Sequence, residues 1–233
     1  MIENATGLVF RTRSLTETSL IVLWLTPRLG RVATVAKGAR RVKSPFHGKL
    51  DLFYLADFSF SRSRRSELHT LREVGLRETH SLLRHDFRLL QQASYCATLI
   101  ERTTETETPL PHVFDLMLGL LRHLLAQPPQ PQTVFAFELK LLTELGLEPD
   151  STQTKLSLGA RQLVKALTAS DWPAVARLKP SPAQVIELGQ FLHGFLEYHL
   201  GRVLKGRAGA LGLTASGNGA AGGEHRWRIE GVA

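Results

Sequence analysis

The hydrophobic period of this sequence changes once, at about residue 75, and this change limits the fold to two successive architectures. Before it, apolar and β-branched residues alternate with polar ones in short stretches that are typical of strands. The predicted strands are 7–15, 19–26, 30–36, 51–61 and 67–74. Five strands in so short a segment predict a small closed barrel of the OB type, because closure removes the exposed edges of the sheet. An SH3-like barrel is the alternative that the pattern leaves open.

After this point, apolar residues recur every three or four positions, which is the spacing of one helix face. The predicted helices are 82–103, 110–126, 133–146, 159–169 and 182–204. Ser181 is the predicted N-cap of the last one, with Pro182 at its first position. Leu83, Phe87 and Leu90 fall on the apolar line of the first helix, so we expect them in the core. Prolines separate the first three helices, and the short connections favour antiparallel neighbours.

The pattern therefore predicts a two-domain protein, with a five-stranded barrel over residues 1–80 and an all-helical domain over residues 81–205. The remaining residues, 206–233, are rich in Gly and Ala, which predicts a flexible tail.

The most basic stretch, residues 28–50, contains no Asp or Glu. Its positive charges are Arg28, Arg31, Lys37, Arg40, Arg41, Lys43 and Lys49. The part over 38–48 has Gly at both ends, Pro45 inside and no apolar period, so it is predicted to be a mobile loop. Because nothing local neutralises this run, we expect it to bind a polyanion such as a phosphate backbone. A solvated surface loop is the alternative.

The charge of the whole chain supports a nucleic-acid partner. The formal net charge is +8, and residues 1–80 hold 14 Lys and Arg against 7 Asp and Glu. OB barrels bind single strands with a positive groove and aromatic stacking. Phe46 lies inside the basic loop with no evident core face, so it is a candidate stacking residue. The candidate nucleic-acid-binding residues are Arg11, Arg13, Arg31, Lys37, Arg40, Arg41, Lys43, Phe46, Lys49, Arg62, Arg64 and Arg65.

The enzyme classes are disfavoured by the motifs. Residues 217–222 match the dinucleotide fingerprint in letters only, because neither a strand nor a helix flanks them, and no Walker A motif occurs. Cys96 is the single cysteine, and its apolar context predicts a buried thiol in a reducing compartment. No signal peptide or membrane span is evident, so we expect a cytoplasmic protein that is not an enzyme and needs no cofactor and no metal.

Several short segments are together similar to one known family. They are Glu17-Thr18-Ser19-Leu20, Gly30-Arg31-Val32, Val35-Ala36-Lys37-Gly38-Ala39-Arg40, Leu71-Arg72-Glu73, Phe137-Glu138-Leu139 and Leu145-Gly146. In this order and spacing they resemble the bacterial RecO family of recombination mediators, over about residues 1–205. The resemblance implies an OB barrel, a helical domain, binding of single-stranded and duplex DNA, and annealing of complementary strands. It also implies that the protein helps RecR to load RecA onto strands coated with single-stranded-DNA-binding protein, at the nucleoid.

The resemblance has one departure and one further implication. Many relatives carry a four-cysteine zinc module after the Leu-Gly, but residues 147–160 contain no cysteine, so the module is absent or degenerate here. The family likeness also implies that the helical domain captures the acidic C-terminal tail of the single-stranded-DNA-binding protein, which needs an apolar groove with a cation on its rim. The candidate residues are Arg122, Phe137, Lys140 and Leu141.

Two other functions stay open at this point. An RNA-binding OB protein would show the same basic barrel. A helical adaptor would have only incidental affinity for nucleic acid.

Overall fold

The computed structural model describes residues 1–149, 156–202, 204–215 and 227–229. The chain forms two compact units. The first, called the barrel unit, contains Met1–Ser81 and Thr104–Leu121, and the second, called the helical unit, contains Leu82–Thr103 and the chain from Arg122 onward. The segment 104–121 therefore groups with the barrel, whereas the sequence pattern placed it in the helical domain.

Five strands close the barrel unit in the order β1-β2-β3-β5-β4. They are β1 (Ile2–Ser14), β2 (Leu20–Thr26), β3 (Gly30–Ala36), β4 (Leu55–Ser61) and β5 (Leu68–Glu78). All neighbouring pairs are antiparallel except β3 and β5, which are parallel. This order and the single parallel pair are those of an OB barrel, so the predicted fold class is confirmed.

The long strand β1 makes closure possible because it serves two neighbours. Its residue Leu8 is paired with Leu55 of β4 and with Leu25 of β2, and a bulge follows between Val9 and Arg11. A bulge bends a strand, so the two halves of β1 lie in different walls of the barrel. The sequence missed the start of β1 at Ile2, because its first residues are polar or exposed and show no apolar alternation.

Aromatic rings fill much of the barrel interior. The rings of Trp24 and Phe58 are stacked at a centroid distance of 4.1 Å, and Phe58 is 5.8 Å from Phe60. The indole N–H of Trp24 donates to Oγ1 of Thr34 at 2.8 Å, which satisfies the only polar atom of the ring. Because these large rings take up much of the small interior, binding is expected on the outer surface.

The rest of the chain is mainly helical, as predicted. The helices are α1 (Phe87–Thr103), α2 (Pro111–Ala126), α3 (Pro131–Glu144), α4 (Leu158–Ala169), α5 (Trp172–Arg177), α6 (Pro182–Leu200) and α7 (Arg207–Leu211). A 3-10 turn covers Ser81–His85, and a short hairpin pairs β6 (Leu213–Ala215) with β7 (Trp227–Ile229). The sequence did not predict α5 or α7, which are only about a turn and a half long and show no clear periodicity.

Helix α3 is the centre of the helical unit. Its residues 132–139 are all buried, and it packs against α1, α4, α5, α6 and α7. Helix α6 begins with the predicted N-cap, Ser181, whose side chain accepts from the N–H of Gln184 in a capping box. It ends at Leu200, before the predicted position, because Gly201 takes a left-handed φ of 71°.

A buried ion pair binds α7 into this unit. The carboxylate of Glu138 accepts from the guanidinium of Arg207 at 2.7 and 2.9 Å and from the hydroxyl of Tyr95, and Arg207 also donates to the carbonyl of Gly189. Burial alone would lower the pKa of Arg207, but the Glu138 carboxylate raises it. The prediction that residues 206–233 form a flexible tail is therefore wrong for α7, because Arg207 is only 3% exposed. Composition could not show that this cation has a buried partner.

The single cysteine lies where the sequence predicted it. Cys96 is fully buried in α1, and burial raises the pKa of its thiol well above the ordinary value. Such a thiol is held in its neutral form and is poorly reactive.

Replacing Arg207 by Met tests the role of the buried pair. We expect the free energy of unfolding to fall by about 3–5 kcal/mol, because Glu138 would stay buried without its partner. The double variant Arg207→Met with Glu138→Leu should recover most of the loss, since no buried charge remains. Chemical denaturation followed by circular dichroism measures this, with the exposed Arg202→Met as control. A single variant as stable as the parent would show that α7 contributes little.

Candidate nucleic-acid interface

The predicted loop is a series of hydrogen-bonded turns. We call residues 37–49 the basic loop. The N–H groups of Arg41, Ser44, His47 and Lys49 donate to the carbonyls three residues earlier, at 3.0–3.1 Å. Each turn closes locally, so the loop has a defined backbone course although it lacks helix and strand. The cations Lys37, Arg40, Arg41 and Lys43 are exposed along it, and Lys49 is half-buried.

Two apolar side chains anchor the basic loop in the barrel. Ala39 and Phe46 are 7% and 6% exposed and belong to the same core cluster as Trp24 and Phe58. The expectation that Phe46 has no core face is therefore wrong. Burying a ring of this size contributes about 1.5–3 kcal/mol, and the register of a loop against a barrel is not visible in sequence periodicity. Phe46 holds the loop in place and is not a stacking residue in this structure.

The basic loop is also hydrogen-bonded to the turn that joins β1 and β2. The N–H of Arg40 donates to the carbonyl of Thr18 at 3.0 Å, and its guanidinium donates to Oγ of Ser14 at 3.4 Å. The N–H of Gly38 donates to Oγ of Ser19 at 3.3 Å. These contacts place Arg40 beside Ser14 at the end of β1, and Ser14 directly follows Arg13 in that strand.

The outer face of β1, β2 and β3 continues this basic surface. The sheet register aligns two rows, which are Arg13, Ile21, Val35 and Thr70, and Arg11, Leu23, Ala33 and Leu68. The residues between the rows, such as Val22 and Thr34, are buried, so the rows face outward. A strip of half-buried aliphatic side chains thus lies beside two cations, an arrangement that suits bases on the strip and phosphates at its edge.

The sequence pattern indicated Arg11 and Arg13 as candidates on this face, but it did not indicate Ile21, Leu23 and Val35. Strands β2 and β3 carry apolar residues on both faces. This departure from simple alternation could have indicated that their outer face is also apolar.

Two of the candidate cations are occupied by other groups of the protein. The guanidinium of Arg31 donates to the carbonyl of Thr104, and its own carbonyl accepts from the N–H of Glu107 at 3.0 Å. Arg62 donates to both carboxylate oxygens of Glu3, at 2.6 and 3.1 Å, and to Glu107 at 2.8 Å. The carboxylates raise the pKa of Arg62 further and neutralise its charge. The predicted contribution of these two residues to DNA binding is therefore not supported.

Residues 104–108 reach these cations because they run beside the start of β3. Thr106 forms an isolated parallel bridge with Arg31. Gly30 has a φ of 64°, and a Cβ there would lie 2.1 Å from the carbonyl oxygen of Thr108. Both the left-handed backbone and the close approach therefore require glycine at this position.

His69 completes this network from inside the barrel wall. It is 2% exposed, its Nδ1 accepts from the N–H of Ser63 at 3.3 Å, and its Nε2 lies 2.8 Å from Oε1 of Glu107. Because an N–H can only donate, the proton of neutral His69 is on Nε2 and is donated to Glu107. Hydrogen bonding from Arg62 lowers the pKa of Glu3, and Arg62 and His69 together lower that of Glu107 against the effect of burial.

The exposed cations that remain on the turn between β4 and β5 are Arg64 and Arg65. With the basic loop, Arg11 and Arg13, they make up the positive surface of the barrel unit. Exposed cations of this kind suit the phosphates of a nucleic acid.

Two protein-family models match the sequence of this chain. The family described as Recombination protein O N terminal matches residues 1–80, and that described as Recombination protein O C terminal matches residues 84–154. The chain belongs to the RecO family. RecO proteins are DNA repair and recombination proteins, so the barrel surface belongs to a DNA repair protein.

Individual RecO relatives are similar along most or part of their length. The DNA repair protein RecO of Alkaliphilus metalliredigens is 28% identical over 238 residues, which cover 87% of this chain and 96% of the relative. That of Anaeromyxobacter sp. (strain K) is 29% identical, with 87% and 93% covered. That of Bacillus pumilus is 31% identical over 153 residues, which cover 66% of this chain and 59% of the relative.

The residues that the RecO resemblance suggested for partner binding do not form an open groove. Phe137 and Leu141 are 0% and 1% exposed in the core around α3. The ammonium of Lys140 donates to the carbonyl of Thr168 at 2.7 Å, and burial lowers its pKa. Arg122 alone is exposed. The prediction is wrong for Phe137 and Leu141, because both side chains are buried where other helices pack against α3.

Two further expectations concern metal and membrane. Within the described residues, no three His, Cys, Asp or Glu side chains come together to hold a metal ion. Part of the predicted degenerate zinc module, residues 150–155, lies outside the described residues, as do residues 217–222. No helix among the described ranges is long and apolar enough to span a membrane.

The carboxylate network predicts a pH dependence of stability. Because the pKa of Glu107 in the folded protein lies below its ordinary value of 4.5, its contribution is present above that pH and is lost as the pH falls through the folded pKa. The variant Glu107→Gln should therefore be less stable than the parent at pH ~7, with a difference that shrinks at pH ~3. Thermal melting over this range measures it. The neighbouring exposed Glu105→Gln is the control, and an equal effect of both variants would contradict the assignment.

The basic loop yields a second prediction. The triple variant Arg40→Glu, Arg41→Glu, Lys43→Glu should bind single-stranded DNA more weakly, and the slope of log affinity against log salt should fall by about 0.7 per lost phosphate contact. Folding should be unaffected because all three side chains are exposed. Fluorescence anisotropy at several salt concentrations measures both quantities.

A matched control for this variant changes the net charge equally, with Arg102→Glu, Lys165→Glu and Lys179→Glu, which are exposed on the helical unit. Equal weakening by the two triple variants would show that only overall charge matters and would contradict a specific site on the loop.

Proposed function

We propose that this protein is a recombination mediator that binds single-stranded and duplex DNA and anneals complementary strands without a nucleotide. We further propose that, with RecR, it helps to load RecA onto strands coated with single-stranded-DNA-binding protein. The observation that carries the proposal is the anchored basic loop, which holds Lys37, Arg40, Arg41 and Lys43 exposed on a RecO barrel. Such a surface binds phosphates irrespective of sequence.

Annealing follows physically from this surface. Two complementary strands repel each other through their phosphates, and cations that neutralise both strands lower this repulsion. Binding both strands to one protein also raises their local concentration. Anchoring by Phe46 reduces the conformational entropy that the loop would lose on binding, so more of the electrostatic attraction contributes to affinity. Neither effect uses the energy of ATP.

The partner proteins enter the proposal through family membership. RecR and the acidic tail of the single-stranded-DNA-binding protein are the proposed partners, and association with the nucleoid follows from DNA binding. Because Phe137 and Leu141 are in the core, we do not assign the tail to them. Of the four candidate residues for partner binding, Arg122 is the exposed one.

Strand annealing provides the test. With complementary labelled oligonucleotides, the protein should accelerate pairing equally with and without ATP, and the acceleration should decline as salt rises, because screening weakens both binding and steering. The basic-loop triple variant should lose most of the acceleration, whereas the helical-unit triple control should keep it. A strict requirement for ATP, or a rate independent of salt, would contradict the proposal. Unlabelled RNA as competitor tests the RNA-binding alternative, which predicts that RNA displaces DNA at lower concentration.

A further inference from the structure

The barrel unit presents cations but lacks the exposed rings that usually stack on bases. Proteins that bind single strands combine a positive groove with aromatic side chains on which successive bases stack. Here Phe10, Trp24, Phe46, Phe53, Phe58 and Phe60 are all at most 6% exposed. Tyr54 is half-buried, and the outer rows of β2 and β3 are aliphatic. In the described part of the barrel unit, no Phe, Tyr or Trp ring is fully available to a base.

The helical unit carries an exposed ring in the place where the sequence predicted a core residue. Phe87 is 74% exposed, and only it and Tyr198 are aromatic among the exposed large apolar side chains of the described residues. The carboxylate of Asp86 accepts from the N–H groups of Arg88 and Leu89, at 2.8 and 3.3 Å, so α1 begins at Phe87 and not at residue 82. The buried stripe of α1 begins only at Gln92.

Phe87 is surrounded in the chain by cationic and titratable side chains. Arg84, His85 and Arg88 are all exposed. The guanidinium of Arg88 lies against Gly212 of the same unit, where a Cβ would come within 2.5 Å of it, so the lack of a side chain at Gly212 leaves room for it. The one carboxylate in this stretch, Asp86, is engaged in capping α1.

The other exposed ring has a different environment. Tyr198 follows Glu197, an exposed carboxylate that would repel a phosphate, and its ring contacts His199 edge-on at a centroid distance of 5.0 Å. Phe87 therefore combines an open ring with neighbouring positive charge, and Tyr198 does not.

We propose that Phe87 is a base-stacking residue for single-stranded DNA, with His85 and Arg88 beside it for the adjacent phosphates. This inference rests on the proposed DNA-binding function and adds a site to it. Bases in a duplex are already covered by their neighbours, whereas the bases of a single strand have a free face. The site therefore recognises unpaired strands and contributes nothing to duplex binding.

The variant Phe87→Ala tests the inference in the full-length chain. Its affinity for a labelled oligothymidine should fall about 5- to 150-fold, the range expected for the loss of one stacking ring. The salt slope should stay unchanged because the ring has no charge, and the affinity for a blunt duplex should stay that of the parent. Phe87→Tyr, which keeps a ring, should retain binding, and Tyr198→Ala should have no effect. Fluorescence anisotropy measures all of these affinities, and thermal melting checks that each variant is folded.

Two results would overturn the inference. The first is that Phe87→Ala binds the oligothymidine within about twofold of the parent, a change of less than 0.5 kcal/mol. The ring would then not stack on bases, and its exposure would point to contact with another protein. The second is that Phe87→Ala loses single-strand and duplex binding equally, which would mean a general effect on the protein. The basic-loop triple variant separates this failure from failure of the proposed function. If that variant loses DNA affinity and Phe87→Ala does not, only the stacking site is wrong, and if neither loses affinity, the DNA-binding function itself is wrong.

Discussion

The burial of Phe46 in the barrel core is the contact on which the DNA-binding surface depends. Arg40, Arg41 and Lys43 lie within four residues and repel one another. Without an anchor, a chain of this composition would stay extended and mobile. Burial of the Phe46 ring, together with Ala39, offsets that repulsion and fixes the turns between them. The same residue type that would stack on a base if exposed serves here to hold the cations in place.

The carboxylates of the barrel unit decide which cations stay available. The carboxylates of Glu3 and Glu107 accept hydrogen bonds from Arg62, and the backbone of residues 104–107 is hydrogen-bonded to Arg31. The basic loop receives no such partner among the described contacts, apart from the hydroxyl of Ser14 and the carbonyl of Thr18 at Arg40. The pairs of Arg62 join the barrel strands to the segment after α1, and Asp57 pairs with Arg77 at 2.7 Å between β4 and β5. The cations of the loop have no carboxylate partner among these described pairs. A count of Lys and Arg treats these cations as equal, although their surroundings make them different.

In the helical unit, the important charges are buried as a pair and are not exposed to a ligand. Glu138 is fully buried at the centre of α3, and Arg207 reaches it from the far end of the sequence, with Tyr95 and the carbonyl of Gly189 completing the hydrogen bonds. A buried charge pair is costly to desolvate and contributes mainly by excluding arrangements in which either charge is unpaired. In this protein it selects the position of α7, a segment whose Gly- and Ala-rich composition specifies very little.

The sequence by itself determined the division of the chain into a barrel and helices. Apolar residues recur every second position in the first part and every three or four positions in the second. The first spacing fits a strand and the second fits a helix, so one kind of element cannot fit both. It also determined the N-cap at Ser181, the buried thiol of Cys96 and the concentration of positive charge before residue 80, because these follow from local composition or spacing.

Only the tertiary structure decided the positions of Phe46 and Phe87, which the sequence assigned the wrong way round. Phe46 has no periodic neighbours, and its burial depends on how a loop folds over a barrel, whereas Phe87 fits a helical period but precedes the buried stripe because Asp86 starts the helix late. Long-range contacts of this kind, like those of Arg62 with Glu107 and Arg207 with Glu138, join residues far apart in the chain, and no local pattern records them.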